Sequence, residues 1–319
     1  MEWKIYTHKR PDLDSRAAVW LLNKFGNAKL PGISQATIFY VNDSSEIPKD
    51  PGRISEVGIV AVDIGGGPFD HHPTSLNPDE CATTLVAKAL GIDEDPALEK
   101  ILKFVLSSDT KGGNHPFDIA YILKQMEDPQ EATEWVFKAL DAKHAEQLGF
   151  INQAKQAFAN AQVDTIDTYR GEVKMVTATT DAEDFSKYAR FQGAGIVIQQ
   201  RSTGNVQIFT NKRLGIKLYN VAALLRFTEM RTKGVPTIPE LQIHDGNSIL
   251  LLRQYRIFWN ELTSEGVTID AAEWYYDPRL EALLNGSLVA KNVPPTKIPL
   301  NRIQELVRIG LKRYSQTVA

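Results

Sequence analysis

EWKIYTHKRPDLDSRAAVWLLNKFG, residues 2–26, changes its period halfway along. Glu2–Tyr6 is a short aromatic and β-branched run, which predicts a strand. From Asp14 to Phe25 the apolar residues Ala17, Ala18, Leu21, Leu22 and Phe25 fall at helical spacing. Asp14 or Ser15 can cap that helix and Gly26 can close it. Working outward, Thr37–Val41 reads as the next strand and Val57–Val62 (VGIVAV) as a third, apolar enough to be buried on both faces. Strands alternating with helices predict a parallel sheet with right-handed crossovers, whose ligands lie beyond the carboxyl ends of the strands. Helical patterns follow over 80–90, 95–107 and 116–126.

Pro129 introduces a pattern from Gln130 to about Val163 with no proline and one glycine, Gly149, which predicts one or two helices spanning domains. Asp164–Gly171 reads as the boundary. A second module is expected beyond it: a strand over 172–178 and a helix over 182–189. A hairpin follows from Ile196–Gln200 to Val206–Thr210, turned at Ser202-Thr203-Gly204-Asn205, and then a helix near 218–232. Pro236, Pro239, Pro294, Pro295 and Pro299 break up the remainder, in which a helix near 300–314 is the clearest element. The expected domains are thus 1–128, a helical connector over 129–164, and 165–319.

The chain has 319 residues, 43% hydrophobic and 24% charged, a balance that supplies a core for two domains. No eighteen-residue apolar run predicts a membrane span, and the start lacks the charged-then-apolar pattern of an export signal. A single cysteine, Cys81, excludes an internal disulfide and fits a reducing cytoplasm. The net charge of −3 argues against coating long nucleic acid by charge alone. That charge is uneven: residues 1–160 carry 16 Lys+Arg against 23 Asp+Glu, a net of −7, and the rest 20 against 16, a net of +4.

Four places in the acidic half gather ligand-type side chains. They are His8 with Asp12 and Asp14; Asp63, followed by Gly65-Gly66-Gly67; Asp70-His71-His72; and Asp109 in Ser107-Ser108-Asp109-Thr110. They offer oxygen and imidazole but no thiolate, a mix that favours Mn²⁺ or Mg²⁺, with Co²⁺ or Fe²⁺ behind them, over a structural zinc cage. Two divalent ions roughly 3.5–4 Å apart need a shared ligand and enough carboxylate to offset their charge. Asp12, Asp14, Asp63 and Asp109 supply about four negative charges.

The order H-x-x-P-D-x-D-S, strand-D, D-H-H, S-D-T resembles the DHH phosphoesterase superfamily, which includes family II inorganic pyrophosphatases, RecJ-type exonucleases and oligoribonucleases. The first motif, with His8, Pro11, Asp12, Asp14 and Ser15, is closest to the pyrophosphatase form. The short step from Asp63 to Asp70-His71-His72 is more similar to a branch of 3′–5′ RNA exonucleases in which the second and third motifs nearly merge. The resemblance is strong over residues 1–115, weaker over 165–235, and does not extend further; the GGGH motif of the superfamily's usual substrate domain is absent. It implies an α/β protein: an N-terminal parallel-sheet DHH-type domain and a smaller α/β C-terminal domain. It also implies two Mn²⁺ ions, with Mg²⁺ or Co²⁺ as substitutes. His8 and Asp12 would hold one ion, Asp14, His71 and Asp109 the other, and Asp63 would bridge them. His72 would face the substrate as acid or phosphate ligand, and Asp70 would orient the histidine pair. The expected reaction is in-line attack of an activated water on a phosphodiester or phosphoanhydride of a nucleotide or short oligonucleotide. Inorganic pyrophosphate is the alternative substrate, and a non-catalytic nucleotide-binding regulator the alternative of another class. A homodimer stays open.

Other residues have blander readings. His115 reads as a loop histidine, and His144 and His244 as solvated. Gly65–Gly67 either present backbone N–H groups to phosphate or form a plain tight turn. From Gln199 to Lys233 seven basic residues face one acid, Glu229. Arg226, Arg231 and Lys233 fit a solvated helix face, whereas Lys212 and Arg213, just past a strand, are placed to reach a substrate phosphate. Trp274-Tyr275-Tyr276 is expected to pack a C-terminal subdomain rather than stack on a base, and Asn285-Gly286-Ser287 to be a turn.

Overall fold

The computed structural model describes residues 2–48, 58–72, 80–112, 115, 117–235, 247–254, 256–286, 290 and 292–312. The chain forms two compact units, Met1–Gly149 and Phe150–Ala319.

In the first unit, β1 (Lys4–His8), β2 (Thr37–Val41) and β3 (Ile59–Ala61) form a parallel sheet in the order β2-β1-β3. Helix α1 (Leu13–Phe25) leaves β1 after four residues. Its cap is Asp12, not Asp14 or Ser15: Asp12 is extended and its side chain accepts the Ser15 N–H, and Gly26 closes the helix by donating its N–H to Leu22. Every residue from Leu13 to Leu22 is buried, polar Asp14, Ser15 and Arg16 included. The small Ala17 and Ala18 let neighbours approach, and Trp20, Leu21 and Leu22 contribute about 1.5–3 kcal/mol each by burial. Against α1 pack α2 (Ala82–Leu90) and α3 (Glu99–Lys111), followed by α4 (Ile119–Gln125).

The chain leaves β1 on one side to make β2 and returns on the other to make β3. The carboxyl ends of β1 and β3 therefore flank a topological switch point, where such sheets hold ligands. Ladder pairing carries on past β3, since Val62 donates its N–H to Tyr6 at 2.9 Å. Asp63 thus emerges beside His8.

One helix, α5 (Pro129–Ala159), fills the predicted connector, and the division between the units falls inside it. His144 on this helix is buried at 4% exposure, ringed by Trp20 and Phe25, rather than solvated. The expected boundary at 164–171 is a β-hairpin. Strand β4 (Gln162–Thr168) pairs with β5 (Gly171–Thr179), and its polar alternation QVDTIDT reads as a linker because it buries little beyond Ile166 and Thr168.

The second unit is the longer of the two, not the smaller. Its six-stranded mixed sheet runs β4-β5-β6-β7-β9-β8, with β6 (Ala194–Gln200), β7 (Val206–Thr210), β8 (Tyr275–Asp277) and β9 (Ala282–Leu284). Only β5 and β6 pair in parallel, with α6 (Phe185–Phe191) between them in sequence. Helix α7 (Tyr219–Thr232) lies in the core and meets α8 (Leu300–Leu311). At their contact a Cβ on Gly310 would come within 2.8 Å of the Val221 side chain, so the approach requires glycine. The hairpin from β6 to β7 and the closing helix match the sequence pattern. Trp274 and Tyr276 are buried, consistent with packing rather than stacking.

Arg226 departs from the sequence reading. It is fully buried, and its guanidinium donates to the carbonyls of Trp274, Leu262, Ser264 and Gly266. Helical periodicity cannot signal such a residue, because its partners lie 36 to 48 positions away. Val57, His244 and Ser287, and the prolines at 236 and 239, fall outside the described residues. Asn285 is buried; its amide donates to Glu273 and Pro294 and its Oδ1 accepts from Thr296.

Candidate metal centre

Each element of the first unit delivers its side chains for a local reason. His8 is the last residue of β1, and Asp14 stands in the first turn of α1. Asp63 begins a loop that folds back at once: its N–H donates to Phe69, the Asp70 N–H donates to Gly67, and the Gly66 N–H donates to Asp70 Oδ2. Gly65 and Gly66 take φ of +86° and +68°. The glycines thus make a tight turn, and Gly66 directs its N–H inward to Asp70. Ile64 and Phe69 anchor the loop in the core. Asp109 sits inside the last turn of α3, which runs to Lys111, four residues beyond the pattern over 95–107 expected from the sequence.

The result is a convergence on Asp63. Its Oδ2 accepts from the Ser15 hydroxyl at 2.7 Å and lies 3.8 Å from His8 Nε2. Its Oδ1 lies 3.3 Å from His71 Nε2 and 3.4 Å from His72 Nδ1. His71 Nε2 is also 4.0 Å from Asp14 Oδ2 and 3.8 Å from Asp109 Oδ2. Ligand-type atoms gather into three groups: His8, Asp63 and His72; Asp14, Asp63 and His71; and Asp14, Cys81 and Asp109. Asp63 belongs to the first two and Asp14 to the last two.

Asp63 carries backbone strain, being one of two described non-glycine residues with positive φ, at 60°. Such a conformation costs about 1–3 kcal/mol and persists where the surroundings fix it. Its carboxylate is 3% exposed, and Oδ1 has no hydrogen-bond donor. Burial pushes the carboxyl up to about 8; the Asp12 and Asp14 charges add to this, against the Ser15 hydroxyl and His72. Burial and the Asp14 charge raise Asp109 to about 6, with His71 opposing. Among the described residues no lysine or arginine pairs with Asp14, Asp63 or Asp109. Three buried or half-buried carboxylates facing only imidazoles fit a divalent cation, whose charge would relieve that repulsion.

Surrounding groups fix the donors. Both Asp14 oxygens accept backbone N–H groups at the start of α2, from Ala82 at 2.7 Å and Thr83 at 2.9 Å. Asp70 Oδ1 accepts the His72 N–H at 3.1 Å and lies 3.0 Å from His72 Nδ1. Partial burial draws the His72 pKa down, but the Asp70 contact and the Asp63 and Asp109 charges outweigh it and raise the net value. Cys81 is a neighbour that sequence spacing could not reveal. Burial and the neighbouring Asp14 push its thiol up, and its Sγ joins Asp14 and Asp109 in the third group.

A cavity of about 620 Å³ opens beside this cluster, touching it at Asp14 and Asp109 and lined also by Lys9, Arg10, Asp12, Arg16, Lys111 and Lys124. Asp12 itself is exposed and outside the three ligand groups, its Oδ1 taken by the N–H and hydroxyl of Ser15. His115 is an exposed loop residue stacked on Phe117. Lys212 and Arg213 form an exposed single turn after β7, in the second unit. No helix among the described residues is long and apolar enough to cross a membrane.

No protein-family model matches the chain, and no curated protein matches it.

Proposed function

We propose that the chain is a metal-dependent phosphoesterase that hydrolyses a phosphodiester or phosphoanhydride bond in a nucleotide or short oligonucleotide. The observation that carries this reading is the sharing of Asp63 between two ligand groups, one with His8 and His72 and one with Asp14 and His71. A donor bridging two sites a few ångströms apart is what a two-cation hydrolase requires. Its unpartnered Oδ1, and the absence among the described residues of a lysine or arginine paired with these carboxylates, support the same reading.

His8 and Asp63 would hold one cation and Asp14, His71 and Asp109 the other, with Asp63 common to both and His72 left to face the substrate. Oxygen and imidazole donors suit Mn²⁺, with Mg²⁺ or Co²⁺ as substitutes. When bound, such a pair supplies an acidified water and offsets negative charge gathering on phosphorus. The remaining work belongs to the chain. Asp70 pins His72 at Nδ1, leaving Nε2 as the nitrogen that can deliver a proton to a leaving oxygen. The start of α2 holds Asp14 in place, and Ser15 holds Asp63. A cavity of about 620 Å³ is of the size that encloses a nucleotide-scale ligand and far exceeds what inorganic pyrophosphate fills. We therefore rank nucleotide substrates above pyrophosphate. A lone free thiol fits the reducing cytoplasm as the place of action.

The test is a panel of pyrophosphate, dinucleotides, cyclic dinucleotides, short RNA and 3′-phosphoadenosine phosphate, each with Mn²⁺ and with Mg²⁺. Metal-dependent release of product from a nucleotide member is expected. Protein that binds two Mn²⁺ yet cleaves nothing in the panel is a sensor and not an enzyme.

A further inference from the structure

Arg16 is 3% exposed, in the first turn of α1, and lines the cavity beside the ligand cluster. A guanidinium carries five N–H donors, and burying it without acceptors is costly. Arg16 donates from Nη1 to the Asp12 carbonyl at 3.4 Å, near the outer limit of a hydrogen bond, and its buried Nε has no acceptor. Unlike the deeply enclosed arginine of the second unit, it is held by the fold with donors to spare. Lys9, Arg10, Lys111 and Lys124 are exposed residues lining the same cavity. Planar, bidentate donation from arginine suits a phosphate oxyanion, and lysines at the rim add attraction without fixed geometry.

We propose that this cavity is a phosphate-binding subsite, in which Arg16 grips a phosphate group that is not the one attacked and Lys9, Arg10, Lys111 and Lys124 draw it in. The ligand class is a phosphate monoester or diester with at least one further phosphate or nucleoside attached. The assignment rests on the phosphoesterase reading for what is cut, but not for what is bound. It also moves the substrate cations from Lys212 and Arg213 to the unit that bears the carboxylates.

The experiment titrates inorganic phosphate, adenosine 5′-monophosphate and adenosine into the full chain loaded with Mn²⁺, in wild type, R16Q, R16K and the rim double variant K9Q/K124Q. Phosphate and the monophosphate should bind, and adenosine at least about tenfold more weakly. R16Q should lose about tenfold or more of that affinity, and R16K an intermediate amount, because lysine keeps the charge but not the fork. Affinity for Mn²⁺ should not change in R16Q. Unaltered phosphate affinity in folded R16Q overturns the subsite. If R16Q does not fold, K9Q/K124Q decides: a loss of about threefold with a shallower salt dependence supports the proposal, and no change overturns it. With a cleaved substrate, R16Q should raise KM more than it lowers kcat. Hydrolysis with KM unchanged sinks the subsite and leaves the enzyme. Arg16-dependent phosphate binding without hydrolysis of any panel member sinks the enzyme and leaves the subsite.

Discussion

Arg226 and Arg16 are both buried, one in each unit, and their surroundings differ in kind. Arg226 spends its donors on carbonyls of four residues, and Glu229 on the same helix is equally enclosed: its carboxylate accepts from Trp274 Nε1, the Thr296 hydroxyl and the Lys297 N–H. Arg16 and Asp63 keep donors and an acceptor that nothing in the described chain satisfies. Buried polar groups are ordinarily satisfied, and Arg226 and Glu229 obey that rule, locking distant segments of the second unit together. Arg16 Nε and Asp63 Oδ1 depart from it, the one on a residue lining a cavity and the other shared between the ligand groups beside it.

The contrast can be broken by four substitutions. Asp63→Asn keeps a side chain that tolerates positive φ but removes the shared charge. Turnover in the substrate panel should fall by about 10³-fold or more, on the order of 4 kcal/mol of barrier, and Mn²⁺ stoichiometry by calorimetry should drop below two. Near wild-type rates would refute the bridging role. Arg226→Met strips donors from the carbonyls of four residues and should cost about 3–5 kcal/mol, read from the urea midpoint. A loss below 1 kcal/mol would show that those bonds contribute little. Asp70→Asn leaves every proposed ligand in place but loosens His72; a fall of about 10–100-fold in metal affinity or rate is expected.

The smallest effect concerns His144. Burial and Lys24 push its pKa down, against Asp95 and Asp141. Unfolded histidine titrates near 6.5, so below about that pH the unfolded chain takes up the proton first. The stability tied to neutral His144 is therefore complete at higher pH and is lost as pH falls through that region. His144→Phe should flatten the acid limb of a stability–pH curve between about 7 and 5. An unchanged acid limb would assign that titration to other groups.

The start of the fold was legible because β1, α1 and β2 each repeat their own period over five or more residues, and the ligand residues cluster in short motifs at strand ends. His8, Asp14, Asp63, His71 and Asp109 do come together. What stayed hidden was non-local. Cys81 adjoins Asp14 and Asp109 only because α2 starts there, and Ser15 reaches Asp63 across 48 residues. Strands β8 and β9 are three residues each, too short to show alternation, and β9 owes its existence to pairing with β7. Arg226 and His144 looked solvated because a charged or titratable residue in a helical pattern is usually on the outside; neither acquires its neighbours until the unit closes. The polar cavity wall was missed for another reason: Lys9, Arg10 and Arg16 are interleaved with the acidic ligands, so a charge count along the chain cancels them.

Ser15 makes one further connection. Its N–H and hydroxyl both donate to Asp12, which caps α1, and the same hydroxyl donates to Asp63. The cap of the first helical turn and the central carboxylate thereby share one side chain. Amide hydrogens at Ser15 and Arg16 should exchange with deuterium more slowly once the carboxylate is occupied, making the beginning of α1 a reporter on filling of the proposed metal centre.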